Sequence, residues 1–225
     1  DGRWEMDWAD FEAKLAEADL FLLCSPHNPL GIVWTPEELR RMVELCIKHR
    51  VVLFSDEIHS DLIFHGKRHT PTASVSDEAA RYVVTGISGT KTFNLAGLQA
   101  STVVFPNAHM KQVFDQFWMN MDIHRNNAFS LTAMEAAFNH GEEWLEQLLP
   151  YLSANFDFVA DYCRELGVPF HRIPTQMYHV IFETRREKNP CALCAKMRRG
   201  SLHTALLEAG IHKVALGHHY DDAVE

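Results

Sequence analysis

Cysteine is scarce in this chain of 225 residues: there are five, an odd number, and only Cys191 and Cys194 stand close together. That argues against a disulfide framework of the secreted kind and fits a reducing cytoplasm. No apolar run approaches the roughly 18 uninterrupted residues of a membrane helix, so no membrane partner is expected. The opening residues, DGRWEMDWADFE, are too acidic for a secretory leader. Positive charge is also short, with 21 Lys and Arg against 30 Asp and Glu, a net charge of −9. The deficit sits in residues 1–155, which hold 12 against 21, whereas residues 156–225 hold 9 against 9. An acidic first part argues against nucleic acid as its main partner, since phosphate binding needs clustered Lys and Arg. In the second part Arg185, Arg186, Lys188, Lys196, Arg198 and Arg199 crowd together, a run that reads first as a solvated helix face.

Apolar residues make up 47% of the chain, enough for one large core or two small ones. Their spacing alternates between helix and strand. Residues 7–18 form an amphipathic helix and DLFLLCS (19–25) a continuous apolar strand, expected to be buried. Thr35, Pro36 and Glu38 make a capping box for a helix over 35–50. VVLFSDE (51–57), YVVTGIS (82–88) and STVVFP (101–106) are β-branched runs of strand length, and 130–158 reads as helix interrupted near Gly141. The pattern predicts an α/β fold, a mostly parallel sheet with helices on both faces, whose chemistry gathers at the carboxyl ends of the strands.

Three polar groups fall at those ends. The first strand runs out into SPHNPLG, with Asn28 between two prolines and Gly31 closing a turn. The second ends in SDEIHSD, which places Asp56 at or near its last buried position, and the third runs into SGTK, with Lys91 among small and apolar neighbours. Singly, each has a plainer role: an Asp after a strand is often a cap or turn residue, an Asn in an N-P turn serves its Asx bond, and a loop lysine caps a carbonyl. Together, an amide, a carboxylate and an amine at one sheet edge suit a charged heteroaromatic cofactor. Pyridoxal phosphate needs such a set: an amine to condense with its aldehyde, a carboxylate to keep the ring nitrogen protonated, and a donor to the phenolic oxygen.

SPHNPLGIVWTPEEL, SDEIHSDLIF and SGTKTFNLAGLQAS resemble, in order and spacing, the PLP-dependent fold type I enzymes of aminotransferase class I and II, in their cystathionine β-lyase-like carbon–sulfur lyase branch of the MalY/PatB type. The resemblance covers about residues 1–155 and implies a partial fold type I large domain. It implies Lys91 as the lysine that condenses with the cofactor and later moves protons, Asp56 as partner of the pyridine nitrogen, and Asn28 as contact to the phenolic oxygen. His59 occupies a place where many relatives carry tyrosine. Ser88 and Thr90 match hydroxyls that hold the cofactor phosphate, and Gln99 stands where aminotransferases usually have an arginine. The implied reaction is β-elimination from a small sulfur-containing amino acid, giving thiol, pyruvate and ammonia, in a homodimer. For that chemistry Lys91 is expected to be buried, so that its amine acts as a base near neutral pH.

The remaining residues carry a different pattern. A strand at 170–173, a helix at 192–209 and a strand at 213–219 are expected. CALC supplies two thiolates at most, and Cys163, His218 and His219 are other candidate ligands beside their reading as core cysteine and strand-end histidines. NPCALCAKMRRGSLH followed by KVALGHHYDDAVE is similar to the TtcA/TilS-like PP-loop ATPases that thiolate tRNA, of the 2-thiocytidine type. That resemblance, over about 156–225, implies an iron–sulfur cluster at Cys191 and Cys194, a nucleotide site at His218, Asp221 and Asp222, and tRNA as a partner of this segment alone. The chain thus reads as two partial modules, 1–155 and 156–225, lacking parts that both families carry, so weak or no turnover is expected of it. The alternatives to a lyase are a remnant of the tRNA-thiolating type or a non-catalytic α/β fusion product.

Overall fold

The computed structural model describes residues 6–28, 30–64, 66–123 and 126–167, together with 204, 206–208 and 210. The chain divides into two compact units, one of residues 3–161 and one of residues 1–2 and 162–225. In the second, the described residues are the end of a long helix and the helical positions 204 and 206–208. The first holds the sheet.

Asp7 accepts the amides of Ala9 and Asp10 and starts α1 (Trp8–Leu15). The chain then enters β1 (Leu20–Cys24) and α2 (Pro36–His49), which begins with the expected capping box: Thr35 accepts from Glu38 N, and the Glu38 carboxylate accepts from Thr35 N at 2.8 Å. β2 (Val52–Asp56), α3 (Asp77–Tyr82), β3 (Val84–Ile87), the single turn α4 (Gly89–Thr92), β4 (Thr102–Val104) and α5 (Ala108–Asn120) follow. α6 (Ser130–His140) and α7 (Glu142–Glu165) are separated at Gly141, as the pattern suggests. α3, α4 and α5 are additions to the sequence reading.

The sheet runs β1-β2-β3-β4, parallel except for the last pair. Its register sorts the side chains. Leu23 and Leu53 face α2, whose Leu39, Met42, Val43 and Cys46 recur at helical spacing and are all buried. Burying each of the large ones contributes on the order of 2 kcal/mol. The Cys46 thiol, in that core, is pushed up to about 12 by burial and is chemically inert.

The opposite face differs from expectation. Leu20 and Leu22, paired with Val52 and Phe54, point away from α2, and Leu20, Leu22 and Val52 are 51%, 67% and 38% exposed. The apolar run of β1 is therefore buried on one side only, and the covering expected on both faces is met over β1 and β2 on one. Two adjacent carboxylates are split by the same alternation. Asp56, in register with Cys24 and Gly86, lies on the open face, whereas Glu57 turns toward the helices.

Candidate active site

The loops after β1, β2 and β3 leave the same edge of the sheet. After β1, Trp34 Nε1 donates to the Cys24 carbonyl at 3.0 Å, and His27 N to the Ile32 carbonyl at 2.8 Å. The turn between them needs a left-handed residue and has Gly31 at φ 65°. It presents Asn28 with an exposed side chain and a backbone N–H on Cys24 Sγ at 3.3 Å. Burial, with the Asp56 carboxylate, pushes the Cys24 thiol up against the opposing Asn28 bond, so it stays protonated and is no competing nucleophile.

Asp56 ends β2, half-buried. Its Oδ1 accepts the Ile58 amide at 3.3 Å, the plain turn role, and its other oxygen has no hydrogen-bond donor among the described residues. In the neighbouring strand Gly86 leaves room for the Phe54 ring: a Cβ there would lie 2.8 Å from Phe54 Cζ. His59, further along the same loop, is half-buried. Burial lowers its pKa, the Lys91 ammonium lowers it further, and the Asp56 carboxylate opposes them. His59 is thus a neutral imidazole at pH 7, in the loop that follows Asp56 and beside the parallel strand that leads to Lys91.

Lys91 rides on α4. The Ser88 side chain caps this turn at Thr90 N (3.1 Å), shares a hydrogen bond with the Thr90 hydroxyl (2.7 Å) and donates to the Ala100 carbonyl at 2.6 Å. Both residues are buried, each 8% exposed, so their hydroxyls act first as the internal brace of the turn. Lys91 itself is exposed, against the expected burial. The small residues around it are buried as backbone and brace, while its own stem projects from the single turn. Gln99 is exposed at φ 51°, at the end of a short 3-10 turn over Ala96–Leu98.

Beneath α4, Phe93 packs against Phe138 and Trp144, and Gly141 lets it approach. A Cβ on Gly141 would stand 2.3 Å from Phe93 Cε1 and 2.4 Å from the Ala137 carbonyl oxygen. Gly141→Ala is therefore expected to cost about 2 kcal/mol and to lower the urea midpoint, with Phe93 displaced. An unchanged midpoint would contradict this packing.

Two arrangements escaped the sequence reading. Glu57, 3% exposed, accepts from Thr72 N (2.8 Å) and Ser55 Oγ (2.9 Å) and pairs with His69 Nε2 at 2.9 Å. Period-two alternation from Asp56 was the available signal for its facing inward. Thr92 Oγ1 donates to Asp61 Oδ2 at 2.8 Å, a tertiary bond with no sequence signature. On this inner face a cavity of about 490 Å³ is lined by Glu57, Asp61, His69, Thr85, Ile87 and Val104, and none of Asp56, His59 or Lys91 borders it.

The donor set at the open edge fits pyridoxal phosphate: an exposed amine, a carboxylate with an oxygen to spare, a neutral imidazole and an exposed amide. Cys191, Cys194, His218, Asp221 and Asp222 lie outside the described residues, and no cluster of His, Cys, Asp and Glu able to hold a metal occurs among the described ones. No helix among the described residues is long and apolar enough to cross a membrane.

A model of the aminotransferase class I and II family matches residues 1–216, running through most of the stretch that resembles the PP-loop enzymes. Cystathionine beta-lyase PatB of Bacillus subtilis is 43% identical over 159 residues, covering 70% of this chain and 41% of that protein. A PLP-bound putative aminotransferase from Clostridium difficile 630 superposes with a TM-score of 0.70 at 48% identity, over 73% of this chain and 42% of the other. The PLP-bound C-S lyase from Staphylococcus hominis gives a TM-score of 0.64 at 32% identity, over 72% and 41%. The chain thus spans about two fifths of the length of these relatives.

Proposed function

Because the chain belongs to the aminotransferase class I and II family, we propose that it carries the cofactor-binding edge of a PLP-dependent carbon–sulfur β-lyase. The observation that carries this reading is geometric: Asp56 ends β2, Lys91 sits on the turn just past its parallel neighbour β3, and the Thr92–Asp61 hydrogen bond at 2.8 Å ties that turn to the loop of His59. The identity with a cystathionine β-lyase and the likeness to a C-S lyase support the lyase branch, beside a likeness to a putative aminotransferase that keeps transamination as the second reading. The substrate class is a small cysteine thioether, and the assembly is a homodimer.

Bound pyridoxal phosphate supplies an aldehyde and an electron-accepting ring. Lys91 Nζ would hold it covalently, and once released would take the α-proton of the substrate. The spare oxygen of Asp56 would hold the proton on the ring nitrogen. Asn28 would donate to the phenolic oxygen, with neutral His59 beside it. Ser88, Thr90 and Gln99 would meet the phosphate, the two hydroxyls by exchanging their mutual bond for phosphate oxygens. Proton removal at Cα and loss of the thiolate at Cβ, followed by hydrolysis, turn a cysteine thioether and water into thiol, pyruvate and ammonia.

The test is pyruvate release from cystathionine with added cofactor. The expected result is a slow rate that still exceeds that of free pyridoxal phosphate and falls back to that background in Asp56→Asn. A rate equal to the free cofactor's, or an Asp56→Asn variant as fast as wild type, would contradict the reading.

A further inference from the structure

The turn that carries Lys91 has four residues. A helical nucleus of that length has no stability of its own, so the lysine is placed by whatever ties the turn down. At its start Ser88 holds Thr90 and donates to the Ala100 carbonyl at 2.6 Å, a tie to the chain entering β4, and the amides of Phe93 and Leu95 return to the Gly89 and Thr90 carbonyls at 2.9 and 2.8 Å. At its end the tie is of another kind. Thr92, 1% exposed, donates its hydroxyl to Asp61 Oδ2 at 2.8 Å. Asp61 belongs to the loop after β2, which follows Asp56 directly and also carries His59. A buried threonine hydroxyl could have satisfied itself on a carbonyl of its own turn. Here it uses a carboxylate from the adjacent parallel strand's loop, and a hydrogen bond to a charged acceptor is stronger than a neutral one.

We propose that Asp61 is a positioning residue: by accepting the Thr92 hydroxyl it locks the Lys91 turn to the loop of Asp56 and His59 and fixes where the amine stands relative to that carboxylate. Asp61 touches neither cofactor nor substrate in this role. The proposal rests on the reading of Lys91 as the cofactor lysine, but its mechanical half stands without it.

Four variants separate the bond from the fold. Thr92→Val removes the hydroxyl at nearly constant shape, and Asp61→Ala removes the acceptor. Thr92→Ser and Asp61→Asn keep a donor and an acceptor. Hydrogen exchange is read at the Phe93 and Leu95 amides without cofactor, with the Glu57 amide, bonded to the Gly86 carbonyl at 2.8 Å, as an internal control in the sheet. In parallel, the rate of borohydride-fixed pyridoxylation is read at Lys91. Thr92→Val and Asp61→Ala are expected to speed exchange at Phe93 and Leu95 about tenfold and to slow Lys91 labelling about tenfold, with the Glu57 amide unmoved. The double variant is expected to be no worse than either single one, and Thr92→Ser and Asp61→Asn to stay within about threefold of wild type.

Unchanged exchange in Thr92→Val, additive losses in the double variant, or Asp61→Asn as damaging as Asp61→Ala would each overturn the proposal. Faster exchange with an unchanged labelling rate would also overturn it, leaving the bond as a fold contact. If Asp61→Ala fails to fold, Thr92→Val decides alone. Absence of labelling at Lys91 in the wild type would defeat the cofactor reading, and the exchange result would then still decide whether Asp61 fixes the turn.

Discussion

Lys91→Ala is expected to lower pyridoxal phosphate capture by at least about a hundredfold, because the variant keeps only the weak polar contacts of the sheet edge and loses the covalent bond. After borohydride reduction no pyridoxyl group would be found in the peptide 88–101, and residual label would be spread over exposed lysines such as Lys14, Lys48 and Lys111. The exposure of Lys91 makes the experiment discriminating. An exposed amine reacts with an aldehyde as any surface lysine does, so preference for position 91 has to come from its neighbours. Asp56 and His59 are those neighbours. Equal capture by wild type and Lys91→Ala would show that they confer no preference.

The second large effect concerns stability and lies one residue from the site. Burial alone would raise the Glu57 carboxyl, but the His69 bond, the Thr72 amide and the Ser55 hydroxyl outweigh it and hold it below the ordinary carboxylate range. Glu57→Ala leaves all three partners facing a void and is expected to cost on the order of 3 kcal/mol, lowering Tm by about 10 °C. The pH dependence follows from the direction of the shift. A carboxyl whose folded pKa lies below its unfolded value near about 4.3 contributes stability that is fully present above that value. That stability is lost as pH falls through the folded pKa. Wild type should therefore lose stability below about pH 4 more steeply than Glu57→Gln, whose amide oxygen still accepts from Thr72 and Ser55 but does not titrate. Matching acid limbs for the two proteins, or a Glu57→Ala melting point within a degree or so of wild type, would show that this network carries little of the fold.

Much of this arrangement was legible in the residues. β-branched runs located three of the strands, the capping box fixed the start of α2 at Pro36, and the strand-end logic put Asp56 at or near the end of β2, where the structure has it as the last residue, and Lys91 just past β3. Local chemistry sufficed because each signal is local. What escaped is tertiary. α4 is one turn, too short to show periodicity, and its anchor, Asp61, is a loop carboxylate like many others. The continuous apolar run of β1 looked buried on both sides, yet which faces of a strand are covered depends on elements elsewhere in the chain, and Leu20 and Leu22 remain exposed. Lys91 looked buried because its neighbours are small and apolar. Those neighbours are buried, and the long side chain between them projects outward. The adjacent pair Asp56 and Glu57 shows both outcomes: the alternation that aims Asp56 at the open edge turns Glu57 into the protein, where it braces the loop instead of serving chemistry.

On the proposed reading, one lysine at this sheet edge is selected for the cofactor by its surroundings. Peptide mass spectrometry of the wild-type protein after incubation with pyridoxal phosphate and borohydride reduction tests it most directly. The expected result is a pyridoxyl group concentrated on Lys91, at a cofactor concentration that leaves the other exposed lysines unmodified. Label scattered over surface lysines with no preference for Lys91 would contradict the account.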